Sequence, residues 1–76
     1  MNQIPITFEN GGKQYNGFFV HVSGAGDSSV YHLYDLQKYF LGRITNTNGW
    51  EFESTPATEG FKELANFFGE YITNWQ

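Results

Sequence analysis

His21 and His32 are the side chains of this sequence best suited to chemistry. Each lies in a run of alternating apolar and polar residues, and pairing the two runs symmetrically about the loop at 23–29 sets the imidazoles opposite one another. Two imidazoles are the start of a zinc site, and an adjacent pair resists double protonation near pH ~6. A third ligand is missing, because Asp35 falls on the opposite parity in that pairing, and no metal site is expected. Glu51 and Glu53 alternate and so share a strand face, but two carboxylates without an enclosing pocket form a solvated face. Ser28 and Ser29 have no base at a defined spacing. The segment Gly24-Ala25-Gly26 lacks the strand, glycine spacing and following helix of a phosphate cradle. The chain has no Cys, which removes disulfides and thiolate ligands. Neither an enzyme nor a cofactor is expected.

The elements that position these residues follow from a change of hydrophobic period near Pro56. Before it, apolar residues mostly alternate with polar ones; after it they recur at helical spacing. Strands are expected over 3–9, 13–22, 30–35, 39–45 and 50–53, and a helix over 56–75. They form a single domain, 1–76, of the α+β class: an antiparallel meander of four or five strands followed by one amphipathic helix packed on one sheet face. In the helix Thr55 is the expected N-cap and Pro56 the first helical residue. Phe61, Leu64, Ala65, Phe68, Tyr71, Ile72 and Trp75 form the apolar stripe. Gly60 and Gly69 flank it, each costing about 1 kcal/mol against Ala, a cost that a close approach of sheet backbone at one of them would justify.

Strand parity depends on the turns. A three-residue Asn10-Gly11-Gly12 loop sets the Ile4, Ile6, Phe8 face beside Phe18, whereas a two-residue Asn10-Gly11 turn reverses that relation. The first alternative places Ile4, Ile6, Phe8, Phe18, Val20, Val22, Tyr31, Leu33, Phe40 and Ile44 under the helix. Phe19, His21, His32, Tyr34, Tyr39, Leu41 and Arg43 then occupy the other face, with Phe19 opposite Tyr34 and, if the turn at 35–38 is tight, Tyr39 beside Tyr34. The face of Trp50 and Phe52 depends in the same way on the turn at 46–49.

Fifteen of the 76 residues are Phe, Tyr or Trp. Aromatic residues suit strands, so propensity and burial by curvature or a loop account for many of them. A contiguous exposed aromatic surface instead marks an interface with a protein partner or a second copy. A third reading is stacking of single-stranded bases, which normally accompanies a basic groove. Here eight acidic residues outnumber four basic ones, for a net charge of −4. That balance opposes nucleic acid and anionic membranes alike.

The order of strands and helix resembles the repeat unit of the Whirly and PUR-type nucleic-acid-binding families. Their basic patches have no counterpart here, so no binding residue carries over from the resemblance. With no secretory pattern at 1–5 and no long apolar run, a cytoplasmic protein is expected. The expected role is a small interaction or self-association domain using the aromatic face, with single-stranded nucleic-acid binding as the alternative.

Overall fold

The computed structural model describes residues 3–24 and 28–75. Five antiparallel strands form one open sheet in sequence order: β1 (Gln3–Asn10), β2 (Lys13–Ser23), β3 (Val30–Asp35), β4 (Phe40–Asn46) and β5 (Trp50–Ser54). A 3-10 segment, Glu59–Leu64, leads directly into the helix α1, Ala65–Asn74. The α+β meander with a C-terminal helix is thus the architecture of this chain. Of the Gly24-Ala25-Gly26 segment, Ala25 and Gly26 lie outside the described residues.

The first hairpin turns on two residues. Gly11 and Gly12 both have positive φ, 62° and 80°, as a two-residue turn that follows the strands' twist requires. Asn10 therefore pairs with Lys13, and Ile4, Ile6 and Phe8 lie beside Phe19, Gly17 and Tyr15. This is the reversed parity, set by a Gly11-Gly12 turn and not by Asn10-Gly11. Phe19, rather than Phe18, belongs to the helix-covered face.

Two bulges decide the rest. Ser23 pairs with Val30, as symmetry about the loop predicts, but an irregularity between His21 and Ser23 shifts the ladder by one residue. Beyond it His21 faces Tyr31, Val20 faces His32 and Phe18 faces Tyr34. The turn after β3 is also longer than the tight one expected: the Asp35 amide donates to the Tyr39 carbonyl at 3.0 Å, and Asp35 Oδ1 accepts the Gln37 and Tyr39 amides at 2.8 and 3.0 Å. Tyr34 then pairs with Phe40, and a second irregularity restores Arg43 to a place opposite His32. A three-residue loop, 47–49, sets Trp50 opposite Asn46 and Phe52 opposite Ile44, which settles both aromatics on the covered face.

The helix begins later than expected. Thr58 Oγ1 accepts the Thr55 amide at 2.9 Å and donates to the Leu41 carbonyl at 2.7 Å, while the Thr58 amide donates to the Thr55 carbonyl at 3.0 Å. These bonds make 55–58 a turn anchored to the bulged part of β4, so Thr55 and Pro56 precede the helix instead of starting it. Phe61 and Leu64 then share a side at 3-10 spacing, and Ala65, Phe68 and Ile72 continue it at α spacing.

Covered by this element is a core of Ile4, Ile6, Phe8, Phe19, Leu33, Ile44, Phe52, Phe61, Ala65, Phe68 and Ile72. Phe68 is its hub: its ring lies 5.0 Å from Phe8, 5.5 Å from Phe19 and 5.4 Å from Phe52. Rings of this kind bury about 150–250 Å² each, which suits a short chain without cross-links. At Gly69 the close neighbour is a side chain and not sheet backbone: the Trp50 indole occupies the space a Cβ would take. On the opposite edge of the sheet the Tyr71 hydroxyl donates to the Pro5 carbonyl. Trp75, expected in the stripe, is exposed.

Candidate interaction face

The helix covers one side of the sheet, and the other side carries its own aromatic cluster. Phe18 projects from β2, His32 and Tyr34 from β3, and Phe40 from β4. Cross-strand pairing brings the rings into contact. Phe18 stacks on Tyr34 at 5.6 Å with 28° between planes. Phe40 meets Tyr34 at 6.0 Å and His32 at 5.1 Å, both near edge-to-face. His32 Nδ1 is hydrogen-bonded to the Tyr34 hydroxyl at 3.3 Å.

Phe40 is 45% exposed, whereas Phe18, Val20, His32 and Tyr34 are half-buried by one another. The rings thus form a continuous surface across three strands. A shallow depression lined by Gln3, Phe18, Val20, Tyr34 and Lys38 lies on one side of it. On the other, Arg43 reaches Glu53 of β5, Nε to Oε1 3.8 Å. Partial burial and the neighbouring Arg43 guanidinium both hold the His32 imidazolium below its ordinary pKa.

Of the residues expected on this face, His32, Tyr34 and Arg43 are there. Phe19 is not: it is fully buried in the core because the glycine turn reverses its parity. His21 lies on the helix-covered side near the sheet end, its ring 5.0 Å from Tyr31 and its Nε2 donating to the Gly24 carbonyl at 2.8 Å. The two histidines therefore occupy opposite faces and cannot share a ligand. Tyr39 sits in the lengthened turn, 67% exposed, away from the cluster. Leu41 lies at the second bulge and packs against the core.

Sequence reasoning missed Phe18, Val20 and Phe40 as members of the outer face. The paired positive-φ glycines at 11 and 12 were the available signal for the first two. Nothing comparable marked Phe40. Among the described residues no group of three or more His, Asp or Glu side chains is placed to hold a metal ion, and no helix is long and apolar enough to cross a membrane. The face can stack and pack against another surface.

Fold and site together define an open five-stranded antiparallel meander with one covered and one aromatic face. No family model, curated protein or solved structure matches this chain.

Proposed function

We propose that this chain is a small non-enzymatic interaction domain, cytoplasmic in setting, whose contact surface is the uncovered sheet face. The observation that carries this reading is the continuous ring surface of Phe18, Tyr34, His32 and Phe40 on the side that the helix leaves bare. A small domain gains little from aromatic side chains that remain half in water, whereas interface centres are enriched in aromatic residues and Arg. The Phe18→Thr, Tyr34→Thr double variant tests this. It keeps strand propensity and leaves the helix side untouched, so the expected protein is folded but no longer enhances the fluorescence of an apolar dye in its native state. Undiminished dye binding by the folded variant overturns the proposal.

A second reading, stacking of single-stranded nucleic acid, is favoured by one observation: Lys38 and Arg43 border the same rings. Against it stand the net charge of −4 and the pairing of Arg43 with Glu53. Titration of a labelled oligonucleotide at low and moderate salt separates the two, because phosphate contacts weaken as salt rises.

A further inference from the structure

The outward residues fall into rows that cross the strands. One row is Pro5, Phe18, Tyr34 and Phe40; the next is Gln3, Val20, His32, Arg43 and Glu53. The first row is made of rings. The second is narrower at Val20, polar at His32 and cationic at Arg43. From this complementarity we infer that the occupant of the face is a second copy of this chain, in a symmetric face-to-face dimer whose two-fold axis crosses the strands between these rows. The inference rests on the interaction reading above and names its partner.

Such an axis keeps each strand over its own counterpart and exchanges the rows. Phe18 lies over the second copy's Val20, Tyr34 over the second copy's His32, and Phe40 over the second copy's Arg43. Each contact occurs twice. A ring fills the space above a smaller side chain, a phenol faces an imidazole, and a guanidinium meets a ring face, the favourable cation–π geometry. The carboxylates of this face lie at its margins: Glu53 ends the second row on the edge strand β5, beside its own Arg43, Glu51 lies on the same strand, and Glu9 lies at the far end of the edge strand β1. A polar rim around an apolar centre is the usual anatomy of an interface.

Area fits this occupant as well. Five strands about 4.8 Å apart and about seven residues long at about 3.3 Å each give a projected face of roughly 500 Å². Only the whole face, with its side-chain surface, approaches the ~800 Å² per partner of a stable complex. A second copy brings a sheet of the same extent and twist, whereas an extended peptide would cover a strip of it. The resulting dimer is a weak one. Two bodies of charge −4 also repel, so screening by salt strengthens it. Nucleic-acid binding has the opposite salt dependence.

Sedimentation velocity on the full chain, from about 10 µM to about 1 mM at about 50 and 300 mM salt, tests the proposal in the range where a modest interface associates. The expected result is a concentration-dependent rise from 8.7 kDa toward twice that mass, steeper at the higher salt. Val20→Glu should weaken association at least about tenfold while its melting curve stays close to the parent's. Phe40→Ser, at a more exposed position, serves the same purpose if Val20→Glu fails to fold. Phe67→Ser, on the outer side of α1, should leave association intact. In a mixture of isotope-labelled and unlabelled protein, Tyr34 and His32 should show contacts between copies.

A monomer throughout overturns the dimer but not the interaction reading, which the apolar dye tests separately. Association lost in Phe67→Ser and kept in Val20→Glu overturns both. Saturable perturbation of the Phe18 and Tyr34 resonances by a short oligonucleotide, weakening with salt, overturns the dimer in favour of nucleic acid.

Discussion

Replacing Gly69 by Ala should destabilise this protein although it improves the helix. An added Cβ would stand 2.2 Å from Trp50 Cγ and 2.3 Å from Cδ1 and Cδ2. Carbon atoms settle about 3.5–4.0 Å apart, so the indole must retreat by more than about 1 Å. Trp50 is half-buried against the core beside Phe52, and its ring atoms are close to the backbone, so that retreat disturbs β5 itself. Overpacking of this kind costs about 1–3 kcal/mol. The gain in helix propensity returns only about 0.5–1 kcal/mol. Taking the middle of each range, the net loss is about 1 kcal/mol, a drop in Tm of about 4–8 °C for a domain of this size. Urea or thermal unfolding followed by far-ultraviolet circular dichroism reads it directly. In a Trp50→Ala background the clash is gone and the same substitution should become stabilising by about 0.5–1 kcal/mol. A Gly69→Ala variant that raises Tm in the parent, or that has the same effect in both backgrounds, refutes the close approach of helix and indole.

The two neighbouring phenylalanines of β2 should behave oppositely: Phe19→Thr removes a fully buried ring and costs about 3–5 kcal/mol, whereas Phe18→Thr loses one outer stacking contact worth about 0.5–1.5 kcal/mol. Thermal melts of the pair distinguish them, and equal losses would show that the parity of β2 is wrong. Thr58→Val keeps the shape but strands the Leu41 carbonyl and the Thr55 amide, an expected loss of about 1–3 kcal/mol in urea melts. His32 should titrate below 6.5 by NMR, and His21→Gln should leave its titration unmoved, since the two lie on opposite faces. Its folded pKa is the lower one, so the unfolded chain takes up the proton first. Stability should therefore decline as pH falls through about 6.5, and His32→Gln should flatten that slope.

The meander and the helix were legible because alternation and helical spacing are local signals, carried by Ile4, Ile6 and Phe8 in one element and by Phe61, Phe68 and Ile72 in another. The side of β2 that faces the core was not. In the sequence Phe18, Val20 and Val22 alternate more cleanly than the inward set of Tyr15, Gly17, Phe19 and His21. The inward set is interrupted at Gly17, where a side chain would meet the Tyr34 carbonyl oxygen of β3. An apolar pattern on both faces leaves parity to the turns and bulges, and a bulge has no composition of its own. At Gly42 the reason for glycine is likewise tertiary, because the Phe52 ring fills the place of its Cβ. The aromatic face survived these shifts because the second bulge returned Arg43 to the outer side, while Phe40 took the place expected for Tyr39.

Open sheets risk aggregating through their edges, and the hydrogen bond from Tyr71 to the Pro5 carbonyl bears on that hazard. At the third residue of the edge strand β1, proline offers no amide and its carbonyl already has a donor. An intruding strand laid there would find a gap in its ladder at the point where nucleation of a fibril needs continuity. The other edge, β5, is five residues long and carries Glu51 and Glu53, which set like charges against any copy aligned beside it. Stacking of molecules edge to edge into filaments is thereby discouraged at both ends of the sheet, and this chain can keep a ring-rich surface in water at a lower risk of polymerisation.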